Sequence, residues 1–133
     1  MRILIVEDEA LIAMALEDQL RDAGHEVYGP AATYEKALDI AEKAPPDLAF
    51  VDMLLSDGAT GARVAAQLFS TWGTLSVLTS GGPADQYGWP PGTLGYIDKP
   101  CPPEALDASI RAAEQILRGE TPTAPPKELH LRP

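Results

Sequence analysis

A chain of 133 residues has room for one domain with one core, in which roughly two thirds of the unfolded surface can be buried. Twenty acidic against ten basic side chains leave a formal net charge of -10, which repels the phosphate backbone that dominates nucleic-acid affinity and argues against direct nucleic-acid binding. With 45% hydrophobic residues but no apolar run near the roughly 18 needed for a membrane span, no export signal, and Cys101 as the lone cysteine, a soluble cytoplasmic protein without membrane insertion is expected.

Residues 2–6 form a short apolar run that ends in the acidic pair Glu7-Asp8, the pattern of a buried strand bounded by charge. Ala10–Ala23 follows with Leu11, Met14, Ala15, Leu16 and Leu20 near helical spacing and Gly24 placed as a stop. Val27-Tyr28-Gly29 is a weak second strand. Thr33 can cap a helix through Lys43, with Ala37, Leu38, Ile40 and Ala41 on its apolar face and Pro45-Pro46 beyond its end. Residues 48–51 give a third strand that delivers Asp52 at its close. Gly61 to Phe69 predicts a helix with Val64, Ala65 and Leu68 inward, and Leu75–Leu78 a fourth strand. The glycines and prolines of 81–95 oppose a full helix, so the fourth crossover is expected to be degenerate. A strand at 94–97 leads to Lys99-Pro100, and Pro103–Leu117 is a last helix stopped by Gly119. The predicted division is a domain over 1–119 and a proline-rich, extended tail over 120–133.

Strands alternating with helices predict an α/β fold: a doubly wound, five-stranded parallel sheet of flavodoxin-like order 2-1-3-4-5. That order puts the first and third strands side by side, so Glu7, Asp8 and Asp52 meet at the carboxyl edge, where open α/β sheets bind ligands. Magnesium prefers octahedral oxygen ligands and commonly takes one or two carboxylates plus a phosphate, for which Asp8, Asp52 and a backbone carbonyl just past Asp52 suffice. Asp52 is then free to act as a nucleophile and form an aspartyl phosphate. Lys99 can pair with the incoming phosphoryl group, and Thr79 or Ser80 can donate a hydrogen bond to it.

These pieces together, ILIVEDE at 3–9, LAFVD ending at Asp52, Asp57-Gly58 and Gly61, LTSGG at 78–82 and GYIDKP at 95–100, resemble the response-regulator receiver domain of two-component signalling over about residues 2–118. The resemblance implies a stand-alone, non-enzymatic signalling module phosphorylated on Asp52 by a histidine kinase or histidine phosphotransfer protein. It further implies Asp8 as a direct magnesium ligand, Glu7 as a ligand through water, Leu54 as donor of the carbonyl ligand, and Lys99 as the phosphate partner. Signalling would run through the strand-four hydroxyl, Thr79 or Ser80, and through Tyr96 turning inward. The surface so changed would contact a downstream protein, pass the phosphoryl group onward, or pair two copies as a homodimer. Cys101 stands where such domains usually carry phenylalanine. Leu54 and Gly81 or Gly82 offer no polar group to orient attacking water, so slow self-hydrolysis is expected.

Two other readings use the same residues. A pseudo-receiver would keep the fold as a binding module without phosphorylation. A magnesium-dependent phosphatase of the haloacid-dehalogenase type would also use an aspartyl nucleophile, but it usually places a second aspartate two residues on, where this chain has Leu54.

Overall fold

The structure, a computed structural model, describes residues 1–80, 90–99, 101–122 and 129–132. Its elements alternate as β1 (Arg2–Val6), α1 (Ala10–Asp22), β2 (Glu26–Ala31), α2 (Tyr34–Lys43), β3 (Leu48–Asp52), α3 (Gly61–Trp72), β4 (Leu75–Ser80), β5 (Thr93–Asp98), α4 (Pro103–Leu117) and β6 (Leu129–Leu131). The sheet order is β2-β1-β3-β4-β5-β6. The first five strands are parallel and in the predicted order. Among the described residues the expected five-stranded sheet has six strands, because β6 adds to the outer edge of β5 in antiparallel register. Segment 81–89, where most of the expected degenerate crossover falls, lies outside the described residues.

Successive strand residues point to opposite faces, so each buried strand feeds two cores. Ile3, Ile5, Phe50, Val77 and Ile97 pack with α1 and α4 on one face. Leu4, Val6, Val51 and Leu78 pack with α2 and α3 on the other. No helix among the described residues is long and apolar enough to cross a membrane.

Local chemistry sets the helix ends. Thr33 Oγ1 accepts from the Lys36 amide at 3.2 Å and caps α2 as predicted. The third helix runs three residues past its predicted end, because Gly73, with φ of 71°, closes it in the left-handed region and donates to Phe69 O. In α1 the apolar face differs from the one predicted. Ala13, Leu16 and Leu20 are buried, whereas Leu11 is 82% and Met14 57% exposed. Strand β2 continues through Gly29-Pro30 because it is a sheet edge, where a missing N–H costs no ladder bond.

Candidate functional site

The carboxyl ends of β1, β3, β4 and β5 form one rim. Val6 is level with Val51, Asp52 with Thr79, and Thr79 with Ile97. Strand alternation then places Glu7, Asp52, Thr79 and Lys99 on the α1/α4 side, in line with Ile5, Phe50, Val77 and Ile97. Ser80 follows Leu78 onto the opposite face. Thr79 and Ser80 are both buried.

The Lys99 ammonium lies 2.6 Å from Asp52 Oδ2 and 2.9 Å from Glu7 Oε1, so one cation bridges two buried carboxylates. Its backbone N–H donates to Ser80 O at 2.8 Å, which fixes the end of β5 against β4. Asp52 Oδ1 accepts from the Leu54 N–H at 3.1 Å, and Met53 N–H donates to Thr79 O at 3.0 Å. Glu7 Oε2 accepts from the amides of Asp8 and Glu9 at 3.0 and 3.2 Å. Asp8 is exposed, and one oxygen from each of Glu7, Asp8 and Asp52 lies within 4.8 Å of the others. Leu54 follows with its side chain 57% exposed.

Burial, reinforced by a hydrogen bond with Asp52, pushes the Glu7 carboxyl up to about 7, against the lowering effect of Lys99. For Lys99, burial alone would lower the ammonium, but hydrogen bonds to Asp52 and Glu7 outweigh it and raise the group above its ordinary value. The rim therefore keeps a firm cation between carboxylates that repel one another. Burial pushes the Cys101 thiol up to about 11, so it stays protonated and unreactive near neutral pH.

These residues fit a magnesium ion by their chemistry. An exposed carboxylate and a buried one lie close together beside a lysine that can be drawn to a phosphate, and the oxygens are hard donors. Glu7 already accepts from Lys99 and two amides, which suits contact through water better than direct ligation.

Tyr96 lies on β5, half-buried beside the α2/α3 core. Its ring stacks on His130 of β6, with centroids 4.5 Å apart and planes at 21°. His130 Nε2 is also 3.2 Å from Asp98 Oδ2. No local spacing in the sequence links His130 to Tyr96, since only the antiparallel register of β6 brings them together.

Asp57, noted in the sequence only as part of the Asp57-Gly58 pair, has contacts that the sequence did not give. Its carboxylate accepts from Thr60 Oγ1 at 2.7 Å and from the Tyr34 amide at 3.1 Å, tying the loop after Asp52 to the start of α2. An Asp-Gly pair followed by threonine was the available signal. The Thr60 hydroxyl first, and the Tyr34 amide second, hold this carboxyl below its ordinary 3.8. Because the folded value is depressed, the contribution of Asp57 to stability is present above 3.8 and fades as pH falls through the lower folded value. A carboxyl-carbon NMR titration should place the Asp57 midpoint below 3.8, and Thr60→Ala should move it back up. An unchanged midpoint in the variant would discard the hydroxyl as the cause.

Comparison with known proteins gives a consistent picture. The sequence profile of the response regulator receiver domain matches residues 3–111. The transcriptional regulatory protein PdtaR of Mycobacterium tuberculosis is 35% identical over 122 residues, covering 88% of this chain and 58% of PdtaR. The phyllosphere-induced regulator PhyR of Methylorubrum extorquens is 36% identical over 113 residues, covering 84% of this chain and 42% of PhyR. The chain thus spans about half the length of these relatives. Among solved structures, the Erythrobacter litoralis PhyR response regulator REC domain superposes with a TM-score of 0.74 at 29% identity, covering 92% of this chain and 95% of that one.

Proposed function

This chain belongs to the response-regulator receiver family, and from that premise we propose that it is a phosphoacceptor whose Asp52 takes a phosphoryl group from a histidine kinase or histidine phosphotransfer protein. The observation that carries this reading is the Lys99 ammonium bridging Asp52 and Glu7 with Asp8 alongside, on the sheet edge where ligands enter. A pseudo-receiver has no need to keep that set complete.

An oxygen of the Asp52 carboxylate attacks the phosphorus of a phosphohistidine. The new O–P bond forms as the N–P bond breaks, and the imidazole leaves with the electron pair. Lys99 then moves its hydrogen bonds from Asp52 toward the phosphoryl oxygens, and Thr79, on the same face as Asp52, donates its hydroxyl hydrogen to another. Ser80, the other candidate hydroxyl, lies by strand alternation on the α2/α3 side with Tyr96 and is the alternative donor. Asp8, Asp52 and the Leu54 backbone carbonyl would hold Mg²⁺, with Glu7 contacting it through water. When bound, that ion neutralises charge on the phosphoryl group so that it can approach an anionic pocket.

The donor has a surface to dock on. Leu11, Ile12, Ala15 and Leu16 line a groove of about 250 Å³ that runs from α1 to Lys99, and Leu11 stands out into solvent beside it. The apolar Leu54 side chain, exposed next to Asp52, gives no group to orient water, so the aspartyl phosphate is expected to hydrolyse slowly. The role is signalling in the cytoplasm rather than turnover of a metabolite, with the output passed by protein contact or onward transfer.

Incubation with a small phosphodonor and Mg²⁺, followed by intact mass, tests the reading. One hydroxylamine-sensitive phosphoryl adduct is expected, and chelating the metal should suppress it. Absence of any adduct with donor and Mg²⁺ in excess would overturn the proposal.

A further inference from the structure

We propose that residues 129–132 form a detachable clasp over the edge of β5, opened by occupancy of Asp52 and resisting that occupancy while closed. The coupling half of this proposal rests on the phosphoacceptor reading; the clasp itself does not.

Several contacts fit this segment to its seat. Leu129 is 2% exposed, within the α1/α4 core. The Arg132 N–H donates to Leu94 O at 2.7 Å, and Gly95, Tyr96 and Ile97 pair with Leu131, His130 and Leu129. Gly95 makes the approach possible. A Cβ there would press on the carbonyl oxygen of His130 and lie 2.9 Å from Leu131 Cα. His130 then covers the Tyr96 ring and reaches Asp98.

The seat is shallow as well as specific. Three residues make a short strand, and one buried leucine anchors it, so it belongs to the part of the fold that opens at low free energy. What it hides is a row of strand-edge amides and carbonyls, the kind of surface that otherwise recruits another chain.

Coupling to the site follows from where the clasp grips. Asp98, held by His130, immediately precedes Lys99, which is tied to Ser80 through its backbone and to Asp52 and Glu7 through its ammonium. A group added at Asp52 must take Lys99 away from its present geometry, and the end of β5 moves with it. The Tyr96–His130 stack and the His130–Asp98 contact are thereby loosened together. Linkage is reciprocal, so breaking the clasp must ease occupancy of Asp52 by the same factor.

The test uses hydrogen exchange on the full chain with Mg²⁺ and beryllofluoride, an analogue of the phosphoryl group. Saturation should speed exchange in 94–98 and 129–132 while β1 and β3 stay protected. Leu129→Asp and, more gently, His130→Ala should produce the same pattern without ligand. Each should also tighten beryllofluoride binding, on the order of fivefold for the stronger variant. If beryllofluoride binds and 129–132 remains as protected as before, the clasp is not linked to Asp52 and the inference falls while the acceptor reading survives. If beryllofluoride fails to bind at all, the acceptor reading and the coupling half fall together. If Leu129→Asp leaves exchange in 94–98 and 129–132 unchanged, there is no clasp to release.

Discussion

Asp52→Asn is expected to abolish phosphoryl uptake completely while leaving the fold in place. The amide has nearly the shape of the carboxylate but lacks a nucleophilic oxygen at neutral pH. Its oxygen can still accept from the Leu54 N–H, which reaches Asp52 at 3.1 Å. Lys99 loses one ion pair yet keeps Glu7 at 2.9 Å, so no buried charge is left alone. Removing the negative charge of Asp52 also relieves its repulsion of Glu7, which contributes to that carboxyl standing at about 7. Gain and loss oppose each other, and the denaturation midpoint should stay near that of the parent chain. Intact mass after phosphodonor and Mg²⁺ gives the reading. Two neighbouring carboxylates sharpen it: Asp8→Asn should raise the Mg²⁺ concentration needed without abolishing the adduct, and Asp57→Asn, on the far side of the loop, should leave labelling intact. Labelling of the Asp52→Asn chain at the parent's level would place the acceptor elsewhere.

The acidic rim was visible in sequence because it follows from two local patterns. Ile3–Val6 and Leu48–Val51 are apolar on both faces, as buried parallel strands must be, and each stops at a carboxylate. Once crossover rules put the first and third strands together, no further information was needed to bring Glu7 and Asp8 to Asp52. The sixth strand had no comparable signal. Leu129-His130-Leu131 is three residues long and follows a proline-rich stretch, and what makes it a strand is the free edge of β5 with a glycine where the backbones meet. The α1 surface misled for a related reason. Leu11 and Met14 sit at helical spacing with each other, but at 3.6 residues per turn they lie roughly 100–180° around the helix from Ala13, Leu16 and Leu20, and only the packed sheet decides which of two apolar stripes is buried. Thr79 and Ser80 are both buried at the same strand end, so neither spacing nor burial separates the two hydroxyls.

Gly61→Ala is expected to cost phosphoryl uptake through geometry, although residue 61 touches neither donor nor metal. Helix α3 begins at Gly61 directly over the end of β3, and its amide donates to Met53 O at 3.3 Å. A Cβ at this position would drive into the carbonyl oxygen of Asp52 and come within 2.7 Å of Met53 Cα. Both obstacles are backbone, so no side chain can swing aside. Either α3 withdraws from the sheet, loosening Val64, Ala65 and Leu68 in the α2/α3 core, or the Asp52–Leu54 turn is pushed off. Overpacking of this kind typically costs about 1–3 kcal/mol, and the displaced turn carries both the acceptor carboxylate and the Leu54 carbonyl. Gly73→Ala separates this from a general loss of stability. Gly73 lies at the other end of the same helix in open space with φ of 71°, so alanine there meets only left-handed strain, on the order of 1–2 kcal/mol. Denaturant midpoints should fall for both variants, whereas labelling by the phosphodonor should fail only for Gly61→Ala. Equal labelling rates in the two would mean that the start of α3 does not position Asp52.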